Sequence, residues 1–123
     1  MEANQWGFHT TMHACDAPNE QGWYSAESCD FRGQCAVDIE DAGAADRYGP
    51  GAQFDINTLE PFNVRVDYHQ FDSSWVGYTT TMTQSGRSIV LSGDCRDYAS
   101  RMTRNVTDGM AFVVSSWRPE SAQ

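Results

Sequence analysis

The chain has 123 residues, 40% of them hydrophobic, which is enough for one domain with a buried core. Its formal net charge is −9, and all eight of its basic residues are arginine. An acidic chain repels nucleic acid and anionic lipid, so we expect neither as a partner. The longest apolar run, at 110–114, is too short to cross a membrane, and no signal-peptide pattern opens the sequence.

The first fifteen residues, MEANQWGFHTTMHAC, combine an acid, aromatic side chains and histidines. A glutamate at position 2 is usually an exposed residue near a frayed terminus. The functional alternative for Glu2 is a general acid in glycoside hydrolysis, which needs two carboxylates beside the sugar bond. If residues 2–13 formed one flat strand, Glu2 and His13 would lie on opposite faces. Both can face one site only if a bulge or turn intervenes, and Gly7 is the favoured place.

A long irregular segment rich in Gly, Asp, Asn and Ser follows at 16–51, and YGPG at 48–51 indicates a turn. An irregular stretch of this length inside a compact domain is usually functional. Two of its residues, Trp23 and Tyr24, carry rings that can stack on a pyranose, although such residues more often anchor loops.

The four cysteines are even in number and lack the paired short spacings of zinc sites, so the sequence favours two disulfides. The alternative is a metal site that combines His9, His13 and Cys15 with a later cysteine. Disulfides imply an oxidising compartment, and the glycosylation sequon at Asn105 agrees with secretion. The cysteines are Cys15, Cys29, Cys35 and Cys95.

The second half of the chain predicts β-structure. Apolar and polar residues alternate along 62–70, and the Ser-Gly pair at 85–86 separates two strand-like segments as a hairpin turn would. A short helix is expected near 96–103. The continuous apolar run GMAFVVSSW predicts a closing strand that is buried on both faces. We therefore predict an all-β sandwich whose sheet edges need covering, with antiparallel strands at 54–58, 62–70, 75–83, 87–92 and 109–117.

Six short motifs, in order, resemble glycoside hydrolase family seven, the fungal and protist cellobiohydrolases and endoglucanases. EAN at 2–4 and the H-x-C at 13–15 are similar to the end of the family's catalytic strand, E-x-D-x-x-E-A-N, and to the H-x-C that follows it. The other similar segments are CDFRGQC, YGPG, FDINTLEPFNVRVDYHQF and GMAFVVSSW. The resemblance covers nearly the whole chain and is weakest from 72 to 92.

The resemblance implies an antiparallel jelly-roll β-sandwich, here a partial catalytic domain. Its parts would be the end of the catalytic strand (1–15), a disulfide-rich loop (16–51) and sandwich strands (52–123). The implied function is that of a secreted retaining glycosidase that cleaves β-1,4-glucan without metal or organic cofactor. Its partners would be the glucan and the rest of the catalytic domain. Two alternatives remain: a non-catalytic carbohydrate-binding or structural jelly-roll component of a larger assembly, and a zinc-stabilised β-domain.

By the same resemblance Glu2 matches the acid/base, and His13 matches a groove histidine near the leaving group, although a structural histidine is an equal alternative. The family's nucleophile and its Asp lie five and three residues before the acid/base, outside this sequence. The chain alone is therefore expected to be inactive. Tyr24 stands where many members have a product-site Arg, so product-side binding is not implied. The matching disulfides are Cys15–Cys29 and Cys35–Cys95.

Overall fold

The computed structural model describes residues 1–15, 20–21 and 34–116. Within these ranges the chain is mainly strand, with a 3₁₀ turn at Ala45–Arg47 and two short helices, α1 (Arg96–Arg101) and α2 (Thr103–Asp108). The strands are β1 (Glu2–Ala3), β2 (Phe8–Thr10), β3 (Val37–Asp38), β4 (Tyr48–Gly49), β5 (Ile56–Asn57), β6 (Asn63–Phe71), β7 (Ser74–Gln84), β8 (Arg87–Asp94) and β9 (Ser115–Ser116). The predicted all-β class with a helical segment near 96–103 is confirmed.

The three long strands form one antiparallel sheet in the order β6-β7-β8. Both of its turns occupy two residues with positive φ, Asp72–Ser73 between β6 and β7 and Ser85–Gly86 between β7 and β8. Paired positive φ values suit the two-residue turns that match the twist of a hairpin. The hairpin predicted at Ser85–Gly86 is confirmed. Along β7 the alternation buries Tyr78, Thr80 and Met82 on one face.

A second sheet of four short strands has the order β3-β2-β1-β9. β1 and β2 form a hairpin whose turn covers Asn4–Gly7, with the Asn4 N–H donating to the Gly7 carbonyl at 2.9 Å. The Asn4 side-chain oxygen accepts hydrogen bonds from the backbone N–H of Trp6 and of Gly7, each at 2.8 Å. A turn at Gly7 was the condition for Glu2 and His13 to share a face, and the structure has a turn there.

The segment 109–117 differs from its prediction. Only Ser115–Ser116 is strand among its described residues, and it pairs with β1 in parallel rather than antiparallel. Phe112, Val113 and Val114 are 64–69% exposed. The prediction of a strand buried on both faces is wrong here because β9 is an edge of its sheet, and the described part of the chain places nothing over 110–114.

The predicted strand at 54–58 is also shorter than expected. It shrinks to β5, which pairs with β4 in parallel. The side-chain amide of Gln84 hydrogen-bonds the backbone of β5 as a neighbouring strand would. Its oxygen accepts from the Asn57 N–H at 2.7 Å, and its nitrogen donates to the Asn57 carbonyl at 3.1 Å. The second part of the predicted irregular loop 16–51 contains β3, the 3₁₀ turn and β4.

The core lies between the long sheet and the short strands. Phe8 packs edge-on against Tyr48 and Phe62, with ring centroids 6.2 and 6.5 Å apart, which fixes β2 on the interior. The Tyr78 hydroxyl donates to the carbonyl oxygen of Cys35 at 2.8 Å and lies 3.1 Å from that of Thr10. Burial raises the pKa of Tyr78 above its ordinary value, so the hydroxyl remains a donor at physiological pH.

The described part contains no helix long and apolar enough to cross a bilayer.

Candidate active site

Glu2 is exposed on β1. This strand lies between β2 and β9 and is hydrogen-bonded to both. In the antiparallel register it stands opposite His9 of β2, and His9 stands opposite Asp38 of β3. Directly opposed residues of adjacent strands project to the same face. Glu2, His9 and Asp38 therefore form a row across one face of the sheet, which we call the acidic row.

The opposite face of β2 is buried, which fixes the direction of the acidic row. Phe8 and Thr10 are 4% and 3% exposed, whereas His9 between them is only partly buried. The Tyr48 hydroxyl donates to the Asn4 carbonyl at 3.1 Å and so holds the turn that follows Glu2. Burial raises the pKa of Tyr48 to about 12, which keeps this donor protonated.

On sequence alone, His9 is considered only as a ligand of the alternative metal site, whereas the structure places it in the acidic row. Its Nε2 is inaccessible to solvent and has no hydrogen-bond partner among the residues that the structure describes. The signal that could have placed it is the turn: Glu2 and His9 are symmetric about Asn4–Gly7, so a hairpin closed by that turn pairs them.

His13 lies beyond β2 and is exposed. The backbone on either side of it is held by α1, because the Tyr98 hydroxyl accepts from the Ala14 N–H at 2.7 Å and donates to the Met12 carbonyl at 3.3 Å. The structure thus brings Glu2 into register with His9 and places His13 on a separate segment beside α1.

The cysteine predictions have different outcomes. Cys35 and Cys95 form the predicted disulfide, with Cα atoms 5.5 Å apart. Cys15 is disulfide-bonded as well, and its predicted partner Cys29 lies outside the described residues. The zinc alternative is wrong because these three cysteines are occupied by disulfides.

The structure does not test the roles predicted for three other residues. Trp23 and Tyr24 lie outside the described residues. Asn105 is exposed on α2, and its glycosylation remains a prediction. One aromatic residue that sequence reasoning missed is Trp6, in the turn after Glu2. Trp6 is 58% exposed, and its ring rests edge-on against Phe54, with centroids 6.3 Å apart.

The acidic row can supply proton transfer at Glu2 but no second carboxylate at the distance of a retaining pair. Asp38 is two strands from Glu2, which places the two backbones roughly 10 Å apart at the usual strand spacing. Retaining glycosidases hold their two carboxyl groups about 5–5.5 Å apart. Asp38 also accepts the backbone N–H of Asp41 at 2.7 Å, which gives it a structural role in the turn after β3.

No family model matches the chain. Over 76 residues, 54% of the chain, the sequence is 38% identical to Endoglucanase 1 of Humicola insolens, of which it covers 18%. It is also 38% identical over 76 residues to Endoglucanase EG-1 of the same organism, of which it covers 16%. The chain therefore spans less than a fifth of the length of these curated relatives.

Three solved structures share the fold. An endoglucanase I complexed with cellobiose is 22% identical with a TM-score of 0.58, over 71% of this chain and 23% of that one. The native endocellulase EGI of Humicola insolens is 21% identical with a TM-score of 0.59, over 86% and 31% of the two chains. A mutant of the Humicola insolens endocellulase Cel7B gives 21% identity and a TM-score of 0.59, over 89% and 32%.

The likeness to these structures confirms the predicted jelly-roll β-sandwich, of which the chain provides a part. The sequence match confirms the resemblance from which that prediction came. The chain is homologous to these endoglucanases and corresponds to part of their length.

Proposed function

We propose that the chain is part of a secreted retaining glycoside hydrolase that cleaves β-1,4-glucan, with Glu2 as its acid/base. The observation that carries this proposal is the endoglucanase homology, combined with an exposed Glu2 on a strand that is hydrogen-bonded on both sides. The partners would be the glucan and the remainder of the catalytic domain. Secretion is supported by the disulfides, since such bonds persist in oxidising compartments.

In this proposal Glu2 donates a proton to the leaving glycosidic oxygen in the first step. The resulting carboxylate then accepts a proton from the water that releases the sugar. The pairing of β1 with β2 and β9 fixes the backbone of Glu2 on both sides, so its carboxyl group starts from a defined position. The nucleophile would come from the residue five positions before Glu2 in the family pattern.

The test uses a longer chain that includes that upstream residue, and it compares wild type with Glu2→Gln. Loss of a general acid costs about 10²–10⁴-fold in rate. The loss should be large for a cellobioside with a poor leaving group, because that group needs the proton. It should be much smaller for 2,4-dinitrophenyl cellobioside, whose leaving group needs no protonation.

Glu60→Gln is the matched control, since Glu60 is an exposed carboxylate that follows β5 and is not part of the acidic row. It should leave both rates unchanged. Equal losses for the two substrates in Glu2→Gln, or no loss, would contradict the acid/base role. The 123-residue chain itself should hydrolyse neither substrate above background, because Asp38, the other carboxylate of the acidic row, lies two strands from Glu2 and too far away for a retaining pair.

A second candidate function is carbohydrate binding without hydrolysis. The observation in its favour is Trp6, whose exposed ring is held by Phe54 and by the Asn4 hydrogen bonds to the turn. Aromatic faces presented in this rigid way suit stacking on a sugar ring. Binding of cellotetraose that weakens in Trp6→Ala, in a longer chain that shows no hydrolysis, would favour this alternative over the enzyme.

A further inference from the structure

Most arginines in the described part of the chain are paired with an aspartate, and two are not. In the part of the chain that the structure describes, four arginines have an aspartate oxygen within 2.6–3.7 Å, namely Arg47, Arg65, Arg87 and Arg104. Arg96 and Arg101, at the two ends of α1, form no ion pair there. In a chain of net charge −9, aspartate partners are abundant, so two unpaired guanidinium groups on one short helix are an exception that needs a reason.

Both guanidinium groups are nevertheless held in place. The Arg96 Cζ lies 5.6 Å from the ring centroid of Phe71, and the Arg101 Cζ lies 5.1 Å from that of Tyr98. A guanidinium stacked on an aromatic ring keeps the N–H groups of its edges available. These edges match the geometry of a carboxylate, which they bind with two parallel hydrogen bonds.

Arg96 and Arg101 line the same cleft, of about 640 Å³, and this volume is within the range of small-molecule sites. Cys95, bonded to Cys35, is part of its wall, so a covalent link supports it. Gln34 adds an amide to the lining, and Asp97 is the one carboxylate among the lining residues that the structure describes. These described residues contribute two cations and one anion, a local excess of positive charge.

Arg96 also lines an adjoining cleft of about 280 Å³ at the end of the long sheet. Its polar lining includes His69, Thr79 and Ser92, and His69 Nε2 lies 2.7 Å from the Thr79 hydroxyl oxygen. Hydroxyl and imidazole groups hydrogen-bond sugar hydroxyls. The first cleft therefore offers the cationic groups of Arg96 and Arg101, and the adjoining cleft offers neutral hydrogen-bonding groups.

We infer that these joined clefts bind a uronic-acid residue of an acidic glycan, with the sugar carboxylate between Arg96 and Arg101. The sugar hydroxyls would face Thr79 and Ser92. That the ligand is a carbohydrate rests on the proposed function, whereas the selection for a negative charge rests on the two arginines alone. The site is separate from the acidic row, which lies on the four-stranded sheet.

The test compares two disaccharides that differ by one carboxylate, cellobiouronate and cellobiose. Binding to the 123-residue chain is measured by isothermal titration calorimetry at constant ionic strength. Cellobiouronate should bind at least tenfold more tightly than cellobiose. Arg96→Gln and Arg101→Gln should each weaken cellobiouronate binding by about tenfold and leave cellobiose binding unchanged. Arg104→Gln is the matched control, because Arg104 is paired with Asp108 on α2, and it should have no effect.

Two further measurements separate binding by charge alone from recognition of the sugar. Asp97→Asn should tighten cellobiouronate binding, because it removes the carboxylate that opposes the ligand. Inorganic phosphate should bind more weakly than cellobiouronate, since it is too small to reach the second cleft while it contacts the two arginines. Equal affinity for the two disaccharides, or unchanged affinity in both arginine variants with native circular dichroism spectra, would overturn the inference. Phosphate binding as tight as that of cellobiouronate would overturn the sugar assignment. None of these outcomes depends on hydrolysis or on Glu2, so the acid/base proposal succeeds or fails separately.

Discussion

Replacing Cys35 and Cys95 together by alanine should remove a large part of the stability of the chain. The two residues are 60 positions apart, and closing a loop of this length restricts the unfolded chain. The chain-entropy estimate for that restriction is about 4 kcal/mol at 25 °C. Domains of ordinary stability unfold with about 5–15 kcal/mol, so the variant should be close to its unfolding threshold at 37 °C. Alanine is chosen because Cys35 is 2% exposed and a serine hydroxyl would be buried there.

The assay is equilibrium unfolding in urea without reductant. The double variant should show a lower free energy of unfolding and a steeper dependence on urea, because its unfolded state is less compact and exposes more surface. Ile39→Val is the control, since Ile39 is 3% exposed in the same core and the change removes a methylene group but no cross-link. It should cost about 1 kcal/mol with an unchanged urea dependence.

The reasoning would be refuted if the double variant lost less than about 1 kcal/mol, the size of a core packing change. An unchanged urea dependence would show that the stabilisation is not exerted through the unfolded state. Peptide mapping without reduction provides a direct check, since a free thiol at Cys35 or a bond from it to a residue other than Cys95 would contradict the premise.

Three further changes follow from individual contacts. Gly93→Ala should cost about 1–3 kcal/mol in thermal unfolding, because the added Cβ would lie 2.7 Å from the ring of Tyr78, which hydrogen bonds hold in place. Asn4→Ala should cost about 1–2 kcal/mol, since two backbone N–H groups lose their acceptor, whereas Asn4→Asp should retain most of the stability. For Tyr48, the folded pKa of about 12 exceeds the ordinary 10.0, so the folded state holds its proton more tightly and stability should fall between pH 10 and 12. Tyr48→Phe should reduce that slope in urea titrations, and an undiminished slope would exclude Tyr48 as its source.

The parts of the fold that sequence predicted are those with a local periodic signal. In the sequence, apolar and polar residues alternate along 62–70, and the Ser85–Gly86 pair has the backbone freedom that a two-residue hairpin turn requires. The alternation predicted a strand there, although both faces of β6 are largely exposed in the structure. The disulfide Cys35–Cys95 and the jelly-roll class came from the family resemblance, because cysteine spacing alone leaves several pairings open.

The parts that sequence missed depend on neighbours far along the chain. A two-residue strand such as β5 or β9 has no period to detect, so its parallel pairing could not be foreseen. The apolar run 110–114 shows that these residues are suited to burial, but it does not show that another element covers them. His9 joined Glu2 only once the Asn4–Gly7 turn set the register of the hairpin.

The pairing of β1 with β9 also has a consequence for the order of folding. The Met1 amino group donates to the Val113 carbonyl across 112 residues of chain, whereas β6, β7 and β8 are joined by two-residue turns. Contacts between distant residues form slowly, because a long loop must close before they gain any energy. The strand that carries Glu2 should therefore acquire its second neighbour last, after the hairpin sheet has formed. Pulsed hydrogen exchange during refolding should protect the amides of β7 before that of Ser115, and the reverse order would contradict this sequence of events.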